Sequence, residues 1–205
     1  MSNYTQQLTG QDLADYIANR FSKKQDPFFN EISDDEPQMN KNNPNQFHAQ
    51  PYDMDKKGFY FSDLDSYNAG VEASGAEEFE LQFIDGDDCE IFKACGIDQS
   101  NLEQWFEDIE PLDHDEKTAL FFVMSCLSYK LDEALNIYGD ASIQQDSLKD
   151  CASQFFDECY SQDIPENIRF YIDYDAFARD CEIGGDMTEF EYQGFTYTCT
   201  NSNGL

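Results

Sequence analysis

The chain has 205 residues, 43 of them acidic and 12 basic, for a formal net charge of −31 at pH 7. A field of that sign repels DNA, RNA and anionic membranes and attracts basic grooves and cations, so nucleic acid and membrane are the first partner classes that composition excludes. At 15% aromatic residues the chain is too rich in rings for a disordered acidic tail, and it is long enough to bury a core.

In chain order, the first predicted element is "TGQDLADYIANRF", where Leu13, Tyr16, Ile17 and Phe21 fall at helical spacing after Thr9, a candidate cap. Residues 22–57, rich in Asn, Gln, Pro and Asp, show no period and read as a flexible polar arm. Residues 1–57 carry a net charge of −3 and residues 58–205 a net charge of −28, so the charge is expected to coincide with the folded part.

Folding is expected to begin at "KGFYFSDLDSYNAG". "EEFELQFIDGDD" sets Phe79, Leu81 and Phe83 against Glu78, Glu80 and Gln82, the period of a strand with one buried face and an acidic outer one. Ser100 with Glu103, and Asp113 with Glu116, mark two helix N-termini, the second helix turning Leu120, Val123, Met124 and Leu127 inward. "SYKLDEALNIYG", stopped by Gly139, and "DSLKDCASQFFDECY", with Leu148, Cys151, Ala152, Phe155, Phe156 and Cys159, are further helices.

Pro165 opens a short helix, and "DYDAFARDCEIGGD" forms another between Asp173 as cap and Gly184 and Gly185 as stop. "TEFEYQGFTYTCT" reads as a β-hairpin around its Gln-Gly pair. The expected fold class is therefore α+β: an elongated, acidic molecule with a helical middle flanked by small antiparallel β-sheets and preceded by a flexible N-terminal arm. The divisions are 1–57 (helix plus arm), 58–98 (β-rich), 99–145 (acidic helical middle) and 146–205 (α+β).

The residue types offer chemistry little support. Seven cysteines, an odd number without CxxC, read as reduced, buried small residues, and with the lack of a basic-then-apolar leader they point to a soluble protein of the cytoplasm. From Asp63, "DLDSYNAGVEAS" fails the EF-hand pattern at Tyr67, Asn68 and Ser74, and "DGDD" at 85–88 reads as a solvated turn. His48 falls in the arm and His114 in an exposed first helical turn; no nucleophile elbow or glycine-rich phosphate loop appears. No catalytic residue, cofactor or metal is expected, and an acidic metal-binding domain is the alternative from another class.

What remains is acid spread along a folded scaffold. Exposed helical acids three or four apart approximate a row of phosphates, and 28 charges at the density of duplex DNA span roughly 48 Å, on the order of 14 base pairs, as an upper bound. The stretch expected to form this surface is Asp85, Asp87, Asp88, Glu103, Glu107, Asp108, Glu110, Asp113, Asp115 and Glu116, balanced only by Lys93.

"IPENIRFYIDYDAFARDCEIGGD", residues 164–186, resembles the C-terminal signature of the ArdA antirestriction family, in Pro165, the YIDY element at 171–174, Phe177, Ala178, Arg179 and Asp180. "SYNAG" at 66–70 resembles the same family's early element, and the resemblance covers about residues 58–200. It implies a non-enzymatic, homodimeric DNA mimic, carried by a mobile element. Such a protein occupies the DNA groove of the specificity and methyltransferase core of a type I restriction-modification complex. The 57-residue extension and the short segment 70–78 depart from the family pattern and leave another basic DNA-binding defence complex, such as a CRISPR effector, as the alternative target. In the motif, Tyr171, Ile172, Asp173, Tyr174, Phe177, Arg179 and Asp180 are expected to serve the scaffold or dimer. The rings should pack inward, and Arg179 should pair with Asp173, Asp175 or a partner subunit's acid.

Overall fold

Phe47, Ala49 and Pro51 are buried and alternate with His48 and Gln50, and this two-residue period makes strand β1 (Gln46–Pro51) of a segment with little apolar content. The computed structural model describes residues 44–205, all within the unit Pro37–Leu205. The expected helix at 9–21 lies outside the described residues. The described end of the expected polar arm, residues 44–57, is corrected: β1 is the central strand of an antiparallel sheet ordered β2-β1-β3, with β2 at Phe59–Phe61 and β3 at Phe79–Asp85. Phe47 stands opposite both Phe61 and Phe83, so His48 belongs to a sheet rather than a linker.

Between β2 and β3 lies helix α1 (Leu64–Ser74), opened by a capping box in which Asp63 accepts from the Ser66 amide and Ser66 accepts from the Asp63 amide. Tyr67 of this helix enters the core against Phe59, Phe61 and Phe79, with ring centroids 5.0–6.4 Å apart. Gly70 is forced by the same ring: a Cβ there would lie 2.2 Å from Phe59. The "SYNAG" element is thus a cap, a core ring and a close approach in five residues.

After β3 come helix α2 (Cys89–Ala94), then α3 (Leu102–Gln104), which continues as a π-turn over Trp105–Ile109, closed by the Glu110 amide donating to the Trp105 carbonyl. Ser100 does not cap this helix: Asn101 holds the N-cap position, its side chain accepts from the Asp98 amide, and the Ser100 hydroxyl donates to Asp98. Helix α4 (His114–Ser125) does open on the expected Asp113–Glu116 capping box, with reciprocal bonds of 2.9 and 3.0 Å. Helix α5 (Leu131–Ile137) runs on through Gly139 in a 3-10 turn, Tyr138–Asp140.

Strand β4 (Ile143–Gln144) edges a second antiparallel sheet, ordered β4-β6-β5, whose hairpin joins β5 (Thr188–Tyr192) to β6 (Phe195–Cys199). Its turn residues Gln193 and Gly194 have φ of 51° and 77°, the twist of a two-residue hairpin turn. Between β4 and this hairpin lie helices α6 (Leu148–Cys159) and α7 (Tyr174–Gly184), joined by short 3-10 turns. The class is α+β.

One buried cluster runs from Phe47 to Cys199 and holds Trp105, Ile109, Leu120, Phe122 and Val123 at 0% exposure, so residues of the three expected subdomains after the arm share a core. A second, small cluster of Cys151, Ala152, Ala178, Cys181 and Met187 lies between α6 and α7. All seven cysteines are free; four are buried, while Cys126 and Cys159 are exposed. Burial pushes the Cys95 thiol up to about 12.

Candidate functional site

Asp88 opens α2 and is only 8% exposed, the one buried carboxylate among the described residues. A buried carboxylate must be paired, and this one accepts 2.8 Å bonds from Lys117 Nζ on α4 and from Asn45 Nδ2 at the start of β1. Asn45 Nδ2 also donates to Glu110 Oε1, at 3.0 Å. One amide and one ammonium therefore tie together the start of the central strand, α2, α4 and the end of the π-turn. Gly86, with φ of 121°, lets the β3–α2 turn close over Asn45, whose Oδ1 would lie 2.4 Å from a Cβ at that position.

The elements joined by this node carry the expected acids. Asp85 and Asp87 flank Gly86 and are exposed. Along α3 and its π-turn, Leu102, Trp105 and Ile109 point inward, which leaves Glu103, Glu107 and Asp108 on the opposite, exposed side. Asp113, Asp115 and Glu116 are exposed in the first turn of α4, where acids oppose the positive helix end. Glu110 is half-buried on Asn45, and Asp88 is withdrawn altogether, which corrects its place in the surface, while Asp85 and Asp87 of the same turn are solvated as expected. Burial, then the Asp88 and Glu90 charges, raise the Tyr192 hydroxyl pKa.

The second sheet is anchored to α2 and the turn before it. The Gln193 amide donates to Glu90 Oε2 and its side chain to the Asp87 carbonyl, at 3.0 and 2.9 Å. His114 is exposed in the first turn of α4, as expected, and also bridges to the second sheet: its Nε2 lies 3.0 Å from the Tyr197 hydroxyl, and its ring stacks on Tyr192. Asn45 and Lys117 escaped sequence reasoning. Asn45 is one of many amides in a polar segment, whereas a lone base beside a run of acids was a readable signal for Lys117.

The C-terminal motif divides. Asp173 caps α7 by accepting from the Ala176 amide, Tyr174 donates to Asp157 on α6 at 2.6 Å, and Phe177 packs edge-on against Phe156. Ile172 is half-buried, and Asp180 is exposed. One expectation is corrected and another narrowed. Tyr171 does not pack: it is 85% exposed beside Phe170, 92% exposed, because the 3-10 turn Glu166–Tyr171 turns both rings outward. Within the chain Arg179 pairs with neither Asp173 nor Asp175: it is exposed and makes no ion pair among the described residues, while Asp175 meets Lys149 at 2.9 Å, a contact that raises the lysine's pKa, so the expected pairing is left to a partner subunit's acid. Both groups of the Lys149–Asp175 pair are solvent-exposed, so it adds little stability.

Among the described residues, no group of three or more metal-ligating side chains converges, and no helix is long and apolar enough to cross a membrane. Fold and surface together define a small α+β protein whose carboxylates are displayed outward and braced from beneath. The family model of the ArdA antirestriction proteins matches residues 32–196, and the chain belongs to that family, one of inhibitors rather than enzymes. The match begins well before residue 58, which agrees with β1 lying in the fold and shortens the expected extension. No curated protein and no solved structure matches the chain.

Proposed function

We propose that this antirestriction protein acts as a DNA mimic: it occupies the DNA groove of the specificity and methyltransferase core of a type I restriction-modification enzyme in the cytoplasm of a host cell. Incoming DNA is then neither cut nor methylated. One observation carries the reading: of the 36 carboxylates in residues 44–205, 33 are exposed, against eight basic residues in the same span. A surface of that balance presents a groove lined with lysine and arginine with the potential it meets on duplex DNA.

The protein performs no chemistry in this account. Its capped helices and braced turns hold carboxylates where phosphates would lie, and a homodimer doubles the length presented. Because the field is a sum, no single acid dominates. The test is a competition: labelled duplex bound to a purified type I methyltransferase core is titrated with the protein at low salt. Full displacement is expected, and a bound fraction unchanged by excess protein sinks the proposal. Capture from host lysate with elution by salt then identifies the complex that is held, with a CRISPR effector or a nucleoid protein as outcomes that would move the target.

A further inference from the structure

The turn Glu166–Tyr171 places two neighbouring rings, Phe170 and Tyr171, almost wholly in water. Ordering two large rings in solvent gains a monomer nothing, since a folded chain lowers its free energy by burying them. The turn is nonetheless braced: Arg169 Nη2 donates to the Ser161 carbonyl at 2.7 Å, and its Nε reaches the Ile164 carbonyl at 3.4 Å. Both bonds hold the backbone beside the rings and leave the rings free.

The surroundings state what can cover them. Residues 157–186 hold nine acids against two bases, and Arg169 directs its Nε and Nη2 donors to backbone carbonyls. Two copies joined ring to ring would bring two such acidic segments together, whereas a cationic partner gains from the same approach. An aromatic pair surrounded by charge is also the composition of an interface anchor, in which rings fill a recess and the polar rim excludes water.

Enzymes that act on a base in DNA carry a recess of this kind within a cationic groove, because the base must leave the stack to enter it. We infer that Phe170 and Tyr171 are an aromatic anchor that enters an apolar, ring-accepting recess in the cationic groove of the DNA-modifying target, adding shape to a contact otherwise made by charge. The inference rests on the DNA-mimic reading above.

The double variant Phe170→Ala/Tyr171→Ala tests it in the full-length protein, with a purified type I methyltransferase core and labelled duplex as the probe. The variant is expected to displace duplex about tenfold less well or worse, with the same salt dependence as the parent, since no charge has changed. Its melting temperature and its mass in solution should equal those of the parent. Equal displacement by parent and variant overturns the anchor and leaves the mimic standing. A variant that becomes monomeric assigns the rings to self-association, and one that melts lower assigns them to the fold; either result overturns the inference. Failure of the parent itself to displace duplex removes both readings.

Discussion

At the scale of single residues, the decisive ones are those that make an acidic surface compatible with a packed interior. Lys117 is half of the one buried ion pair among the described residues, and Lys117→Met leaves Asp88 in a poorly solvated site with the Asn45 amide still donating to it. We expect a loss of about 3 kcal/mol by denaturant unfolding, most of it recovered in Lys117→Met/Asp88→Leu, where neither charge is left buried. Gly70→Ala sets a methyl against the Phe59 ring and should cost roughly 1–3 kcal/mol in the same assay.

Cys95 adds a pH dependence whose sign follows from burial. Its thiol is pushed from the ordinary 9.0 to about 12, so the unfolded chain loses that proton first as pH rises. Stability from this group is whole below pH 9 and is lost between 9 and about 12. A Cys95→Val variant should show a shallower fall in melting temperature over that window than the parent does.

At the scale of elements, the described residues form two unequal packing centres. The large cluster joins both sheets to α4 and the π-turn, while α6 and α7 meet over a small cluster topped by Phe156, Tyr160 and Phe177. Local opening follows the weaker packing, so amides of α6 and α7 should exchange with solvent faster than those of β1 and α4, as native-state hydrogen exchange would read. Phe177→Ala should widen that gap by about 2–3 kcal/mol without changing protection in β1; uniform loss across both regions would show one cooperative unit instead.

The elements also show what was legible in the sequence. Helices α4 and α7 and the C-terminal hairpin announced themselves through period, Asp caps and a Gln-Gly turn, because those signals are local. β1 did not, since "NQFHAQP" supplies a single large apolar residue and becomes a strand only through Phe61 and Phe83 on either side. The exposure of Phe170 and Tyr171 was illegible for the opposite reason. The spacing of Tyr171 with Tyr174 and Phe177 suggested packing, but a 3-10 turn with three residues per turn faces Tyr171, and Phe170 beside it, outward. Most of the expected acidic surface was legible, as exposed acids need only a folded support, while the withdrawal of Asp88 depended on Asn45 and Lys117, 43 and 29 residues away in sequence.

At the scale of the whole molecule, charge is both the proposed function and a standing strain. The thirty-three exposed carboxylates of residues 44–205 repel one another in the folded state, so added salt should raise the melting temperature of the free protein while it weakens binding to a basic target. Replacing any one of Asp87, Glu107 or Asp115 by its amide should lower inhibition less than about threefold, whereas neutralising several together should abolish it, a contrast that distinguishes a summed field from a few contact points. The central claim is that this field stands in for DNA. The most direct measurement is the affinity of the protein for a purified type I methyltransferase core as a function of salt, made alongside duplex DNA on the same core. Affinities that fall steeply together, with each ligand excluding the other, are the predicted result. An affinity indifferent to salt, or a core that holds protein and duplex at once, would contradict it.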